Sequence, residues 1–162
     1  MSEPTATATN PDLVIHSTFT LERRYPQAPA RVFFAHADAA MKRRWFTDGE
    51  GWEIFSYALD FRVGGIESSR FSFQGGPEIT YDSVIQDIVT DRRIVFAYRM
   101  TVAGAPISAS LSTIEFKPDG RGTLMRYTEQ GTYFGDPNAP AGREHGSREL
   151  LEKLAAELDR TS

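Results

Sequence analysis

At 162 residues the chain is sized for one domain with a sizeable core, and 40% apolar with 25% charged residues is the balance of an ordinary globular protein. A formal charge of −4 with scattered basic residues argues against a nucleic-acid face, and the absence of cysteine excludes disulfides, thiolate nucleophiles and Cys-ligated metals. No apolar run approaches membrane-spanning length, so no membrane partner and a cytoplasmic location are expected.

The first residues, Met1 to Asn10, lack a basic region and an apolar stretch, so 1–13 is expected to be a disordered tail and not a signal peptide. A single domain should then fill 14–162. Val14 to Tyr25 suits a first strand that Pro26 and Pro29 stop, with Pro29 well placed in the first turn of a helix. Two short helices follow, Ala28 to Ala37 and Ala39 to Trp45, with Asp38 between them as a cap. The Lys42-Arg43-Arg44 cluster reads as a solvated helix face. After a turn at Asp48-Gly49-Glu50-Gly51 the pattern has period two. It predicts strands over 52–61, 66–74, 79–89, 94–102, 107–116 and 123–133, joined by short turns at Gly64-Gly65, Gly75-Gly76-Pro77, Asp91-Arg92, Gly104-Ala105-Pro106 and Pro118-Asp119-Gly120. Short connections between consecutive strands mean an antiparallel meander.

The chain closes on an amphipathic segment running to about Arg160. Leu150, Leu151, Leu154 and Leu158 share one stripe, Arg143 and Ser147 lie on it nearer the N-terminus, and His145 points away. A helix of some twenty residues is about 30 Å long, enough to cross a curved sheet. The fold predicted is α+β: a bent antiparallel sheet of six or seven strands wrapped around a long C-terminal helix, with room for a pocket between them.

The order of several short motifs carries a resemblance. Arg24-x-x-x-Ala28-Pro29-x-x-Val32-Phe33 comes first, then Trp45-Phe46 and Asp60-Phe61-Arg62-Val63-Gly64-Gly65. Asp91-Arg92-Arg93-Ile94-Val95-Phe96 and Phe116-x-x-x-Gly120-x-Gly122-Thr123 precede the apolar helix. From Ser17 to Arg160 the chain resembles the SRPBCC (START-like, birch-pollen-allergen-like) superfamily, specifically the activator-of-heat-shock-protein-90-ATPase homologue family of small bacterial proteins. The resemblance implies the helix-grip fold. It also departs from the family, which usually carries Gly-Trp early in the last helix. Here Gly146-Ser147 puts a small hydroxyl where an indole would stand, leaving space near Arg143 unless Tyr133 or Phe134 swings in.

Chemistry-bearing motifs are sparse. His16, His36 and His145 have no second ligand at metal spacing and read as surface or satisfied histidines, so no metal and no cofactor are expected. Strand parity turns Ser110, Ser112 and Glu129 inward with Ile114, Phe116, Met125 and Tyr127. Glu129, Arg143 and Ser147 are therefore expected at the polar end of a cavity walled by Phe71, Phe73, Phe96, Tyr98, Met100, Tyr127 and Leu150. Three functions follow from residues and resemblance together. The first is binding of an apolar small molecule, lipid-like, polyketide-like or aromatic. The second is a polyketide cyclase/dehydratase-like or hydrolase-like enzyme using Glu129, Arg143 and Tyr127. The third is a chaperone-associated interaction module, a partner implied by the family's name alone. Exposed strand edges and the behaviour of relatives also permit a homodimer.

Overall fold

A computed structural model describes residues 10–161; most of the tail expected at 1–13 lies outside them. Seven strands form one antiparallel sheet in the order β1-β7-β6-β5-β4-β3-β2. They are β1 (Val14–Tyr25), β2 (Trp52–Leu59), β3 (Ile66–Phe73), β4 (Ile79–Val89), β5 (Arg93–Val102), β6 (Ala105–Asp119) and β7 (Gly122–Phe134). Helices α1 (Pro29–Ala37) and α2 (Ala39–Phe46) carry the chain from one sheet edge, β1, to the other, β2. The last element is α3 (Ala139–Arg160). This is the helix-grip arrangement the alternation predicts. Every strand pair is antiparallel, and from β2 to β7 each turn is too short for a crossover.

Local chemistry accounts for the boundaries. Pro29 opens α1, and the Asp38 carboxylate accepts the Met41 amide at 3.0 Å to cap α2. Arg62 latches the β2–β3 turn by donating to Asp60 at 2.8 Å. Gly65 is required there, since a Cβ would lie 2.0 Å from the Asp60 carbonyl oxygen. The β5–β6 hairpin turns on Ala103 and Gly104, both with positive φ, which suits the twist of the flanking strands. That tight turn draws Pro106 into β6 opposite Thr101, at a register shift where a missing N–H is tolerated. Pro118, expected in a turn, likewise lies in β6, opposite Thr123 and one residue before the strand's end.

Register shifts leave one extra residue each in β2, β4 and β6 and bend those strands. Leu151, Leu154 and Leu158 press α3 onto the inner face, where Leu154 and Leu158 are fully buried. The Tyr25 hydroxyl donates to the Leu151 carbonyl at 3.0 Å, tying β1 to the helix. The basic cluster departs from its expected solvated face. Lys42 is buried against Glu67 at 2.8 Å, Arg44 pairs with the buried Glu157 of α3, and Arg43 alone of the three points outward without a carboxylate. Consecutive helical residues are about 100° apart, so a helix packed on one side cannot keep three in a row on its solvent face. No described helix is long and apolar enough to cross a membrane.

Candidate functional site

Between the sheet and helices α2 and α3 lies a cavity of about 620 Å³. Strand alternation builds its walls: Phe71 from β3, Ile79 and Tyr81 from β4, Phe96, Tyr98 and Met100 from β5, and Tyr127 from β7. Arg143, Ser147 and Leu150 supply the helix side, one turn apart on the predicted stripe. Its two exposed lining residues, Ala105 beside the β5–β6 turn and Asn138 before α3, mark the mouth.

Two of the expected residues stand elsewhere. Phe73 packs its ring on Trp52, 4.5 Å between centroids, and does not reach the cavity wall; Trp52 takes that place. Glu129 is fully buried beneath the wall. There it gathers a network: Tyr98 and Tyr127 donate to Oε1 at 2.8 and 2.7 Å, Ser112 donates at 3.2 Å, and Tyr133 donates to Oε2 at 3.3 Å. Arg143 stands 3.7 Å from Oε2 and donates to the Tyr98 hydroxyl at 2.8 Å and to Ser108 at 2.7 Å. Burial first, then the neighbouring Glu129, pushes the Tyr133 hydroxyl up to about 12. Burial likewise raises Tyr127 and Tyr98, although Arg143 opposes the rise at Tyr98. All three phenols thus remain donors at neutral pH. A carboxylate so fully supplied with donors is a structural acceptor that orients phenols and guanidinium; its lone pairs are already engaged. Arg143 and Glu129 are brought together through the phenols, beneath the wall.

Tyr133 stands near Arg143, as the sequence allowed. Its ring lies over Gly131 and under the Arg143 guanidinium, 5.3 Å from the centroid. Ser147 itself remains on the cavity wall and is buried.

At the other end the structure brings in residues that sequence reasoning missed. His36 is buried and lines the cavity, so it is not a surface histidine, and neither ring nitrogen has a hydrogen-bond partner among the described residues. Burial first, then the Lys42 charge, holds it well below its ordinary value of 6.5. Lys42 Nζ also lies over the Phe46 ring at 4.6 Å, and Tyr57 donates to the second oxygen of Glu67 at 2.6 Å. The alternation Glu67, Ser69, Phe71 in β3 is the signal that could have placed Glu67 inside. Among the described residues no group of three or more His, Asp or Glu side chains could hold a metal.

Comparison with known proteins agrees with this geometry. The model of the Activator of Hsp90 ATPase homolog 1-like protein family matches residues 27–159. The chain belongs to that family. It is similar to the Mll3558 protein of Rhizobium loti at 57% identity and a TM-score of 0.83, over 90% of this chain and 99% of that one. An uncharacterized protein of Rhizobium leguminosarum is 35% identical with a TM-score of 0.87, over 91% and 97% of the two chains. Protein CV1439 of Chromobacterium violaceum is 26% identical with a TM-score of 0.72, over 87% and 96%. Comparison with curated proteins found no match.

Proposed function

We propose that this protein of the Activator of Hsp90 ATPase homolog 1-like family binds a small apolar or aromatic molecule in the cavity between its sheet and α3. The observation that carries the reading is the volume. About 620 Å³ of interior stands within the range of about 300–1,000 Å³ typical of ligand pockets. Native interiors are otherwise close-packed, so a space this large has a use. Its walls are largely aromatic and aliphatic, with a few fixed polar groups, as small-molecule sites are. The cyclase-like or hydrolase-like alternative gains no base from Glu129, which is enclosed by donors beneath the wall. The chaperone-partner alternative rests on the family's name. Association through the open edges β1 and β2 remains a separate proposal; light scattering at micromolar concentration that finds monomer alone retires it.

Ser147→Trp tests the pocket. The wild-type chain should bind N-phenyl-1-naphthylamine saturably, with enhanced fluorescence. An indole on the Ser147 position should refill the space and abolish that uptake while the far-ultraviolet circular dichroism stays native. Probe binding that survives the substitution unchanged places the site elsewhere. If the space were full, the indole would overpack and destabilise the fold by about 1–3 kcal/mol. Native mass spectrometry of protein taken from cells adds an independent reading, since a retained ligand would appear as a mass adduct.

A further inference from the structure

Most polar side chains on the cavity wall already have partners. Tyr98, Tyr127 and Arg143 are bound into the Glu129 network, Thr47 donates to the Arg43 carbonyl at 2.7 Å, and Lys42 is held by Glu67. Among the described lining residues, His36 and Ser69 instead have buried polar atoms without a hydrogen bond. His36 is 4% exposed and is gripped edge-on by Trp45 and Phe116, with centroids at 4.9 and 5.5 Å. A buried donor and acceptor left unbonded is costly and rare in native proteins, so it asks for a partner. The histidine is also placed to receive one. The mouth lies where β5 ends at Val102, whereas His36, packed on Phe116 and lining one small void together with Phe96, marks the far end. Six residues of strand separate Phe96 from Val102, about 20 Å at 3.3 Å per residue.

We infer that the closed end of the cavity is a hydrogen-bonding subsite, in which His36 meets the hydroxyl or carbonyl oxygen at one end of a neutral aromatic ligand. The inference rests on the proposed binding function and adds the chemical class of the ligand. A neutral imidazole offers one donor and one acceptor, so it matches a phenol or a ketone equally. The local charge selects against an anion. Lys42 is already neutralised by Glu67 at 2.8 Å, and a ligand carboxylate buried there would face Glu67 without a cation of its own. A second void of about 10 Å³, lined by His36, Lys42 and Glu67, is close to the size of one water molecule. A water held there is therefore the competing partner for the histidine.

Naphthalene, 2-naphthol and 2-naphthoate, titrated into the full chain by calorimetry, separate these cases. The expected result is that 2-naphthol binds about tenfold more tightly than naphthalene, a difference of about 1.4 kcal/mol. In His36→Phe that ratio should fall to about one while the naphthalene affinity is kept. In the wild-type protein, long-range proton–nitrogen spectra should show the His36 ring nitrogens moving with 2-naphthol and staying still with naphthalene. This measurement decides the matter even if His36→Phe does not fold. Equal affinities for naphthalene and 2-naphthol, a ratio that survives His36→Phe, or tightest binding by 2-naphthoate would each overturn the subsite and leave the cavity reading intact. Still nitrogen resonances with bound 2-naphthol would assign His36 to a water and overturn it too. Failure of all three probes to bind would overturn the cavity reading and this inference with it.

Discussion

The ring of Tyr133 lies 2.7 Å from the point where a Cβ on Gly131 would stand, and so a glycine near the end of β7 decides where that phenol rests. From there the Tyr133 hydroxyl reaches Glu129, two residues of strand behind Gly131, at 3.3 Å. Gly131→Ala should push the ring away, break this bond and cost about 1–3 kcal/mol, the usual range for overpacking. Urea unfolding measures the loss, and Gly131→Ala combined with Tyr133→Phe should show non-additivity. Strict additivity would mean that the ring moves without disturbing Glu129.

The Lys42–Glu67 pair is buried on both sides, with side chains 9% and 4% exposed. Lys42→Met leaves a buried carboxylate with Tyr57 as its remaining donor, so it should cost about 3–5 kcal/mol. Adding Glu67→Leu should recover much of that, because two apolar side chains replace two buried charges. A double variant no more stable than Lys42→Met would contradict the pairing.

Helix phase gives a sharper contrast. Leu154 is completely buried under α3, and Leu154→Ala should cost about 2–5 kcal/mol. His145, exposed and paired with Glu149 one turn on, should change stability by less than about 0.5 kcal/mol when replaced by alanine. Similar losses from the two would place the helix in another rotation.

His36 makes stability depend on pH. Its folded-state value lies below the ordinary 6.5, so under acid the unfolded chain binds a proton that the folded chain refuses. Stability from this source is complete above 6.5 and falls as pH drops below that value, by up to about 1.4 kcal/mol per unit. His36→Met should flatten the slope between about pH 7 and 5. Equal slopes in the wild type and His36→Met would show that the histidine titrates normally.

Much of this protein is legible in its sequence because the relevant forces are local. Alternation from Trp52 to Phe134 decides strand faces, short turns force antiparallel neighbours, and Asp38 marks the start of α2 by capping it. The same periodicities place Arg143, Ser147 and Leu150 on one side of α3 and Tyr98 and Tyr127 across from them, and these residues line the cavity. Tertiary structure decided the rest. Parity sends Glu129 inward but says nothing of depth, and three phenols converging from β5 and β7 hold it beneath the wall. Lys42 and His36 look unremarkable on short helices; they become buried only because α1 and α2 lie against the sheet, bringing Glu67, twenty-five residues from Lys42, to meet it. Whether an aromatic inner face is filled or hollow depends on the sum of many side-chain volumes against the curvature of the sheet, a quantity no local pattern carries.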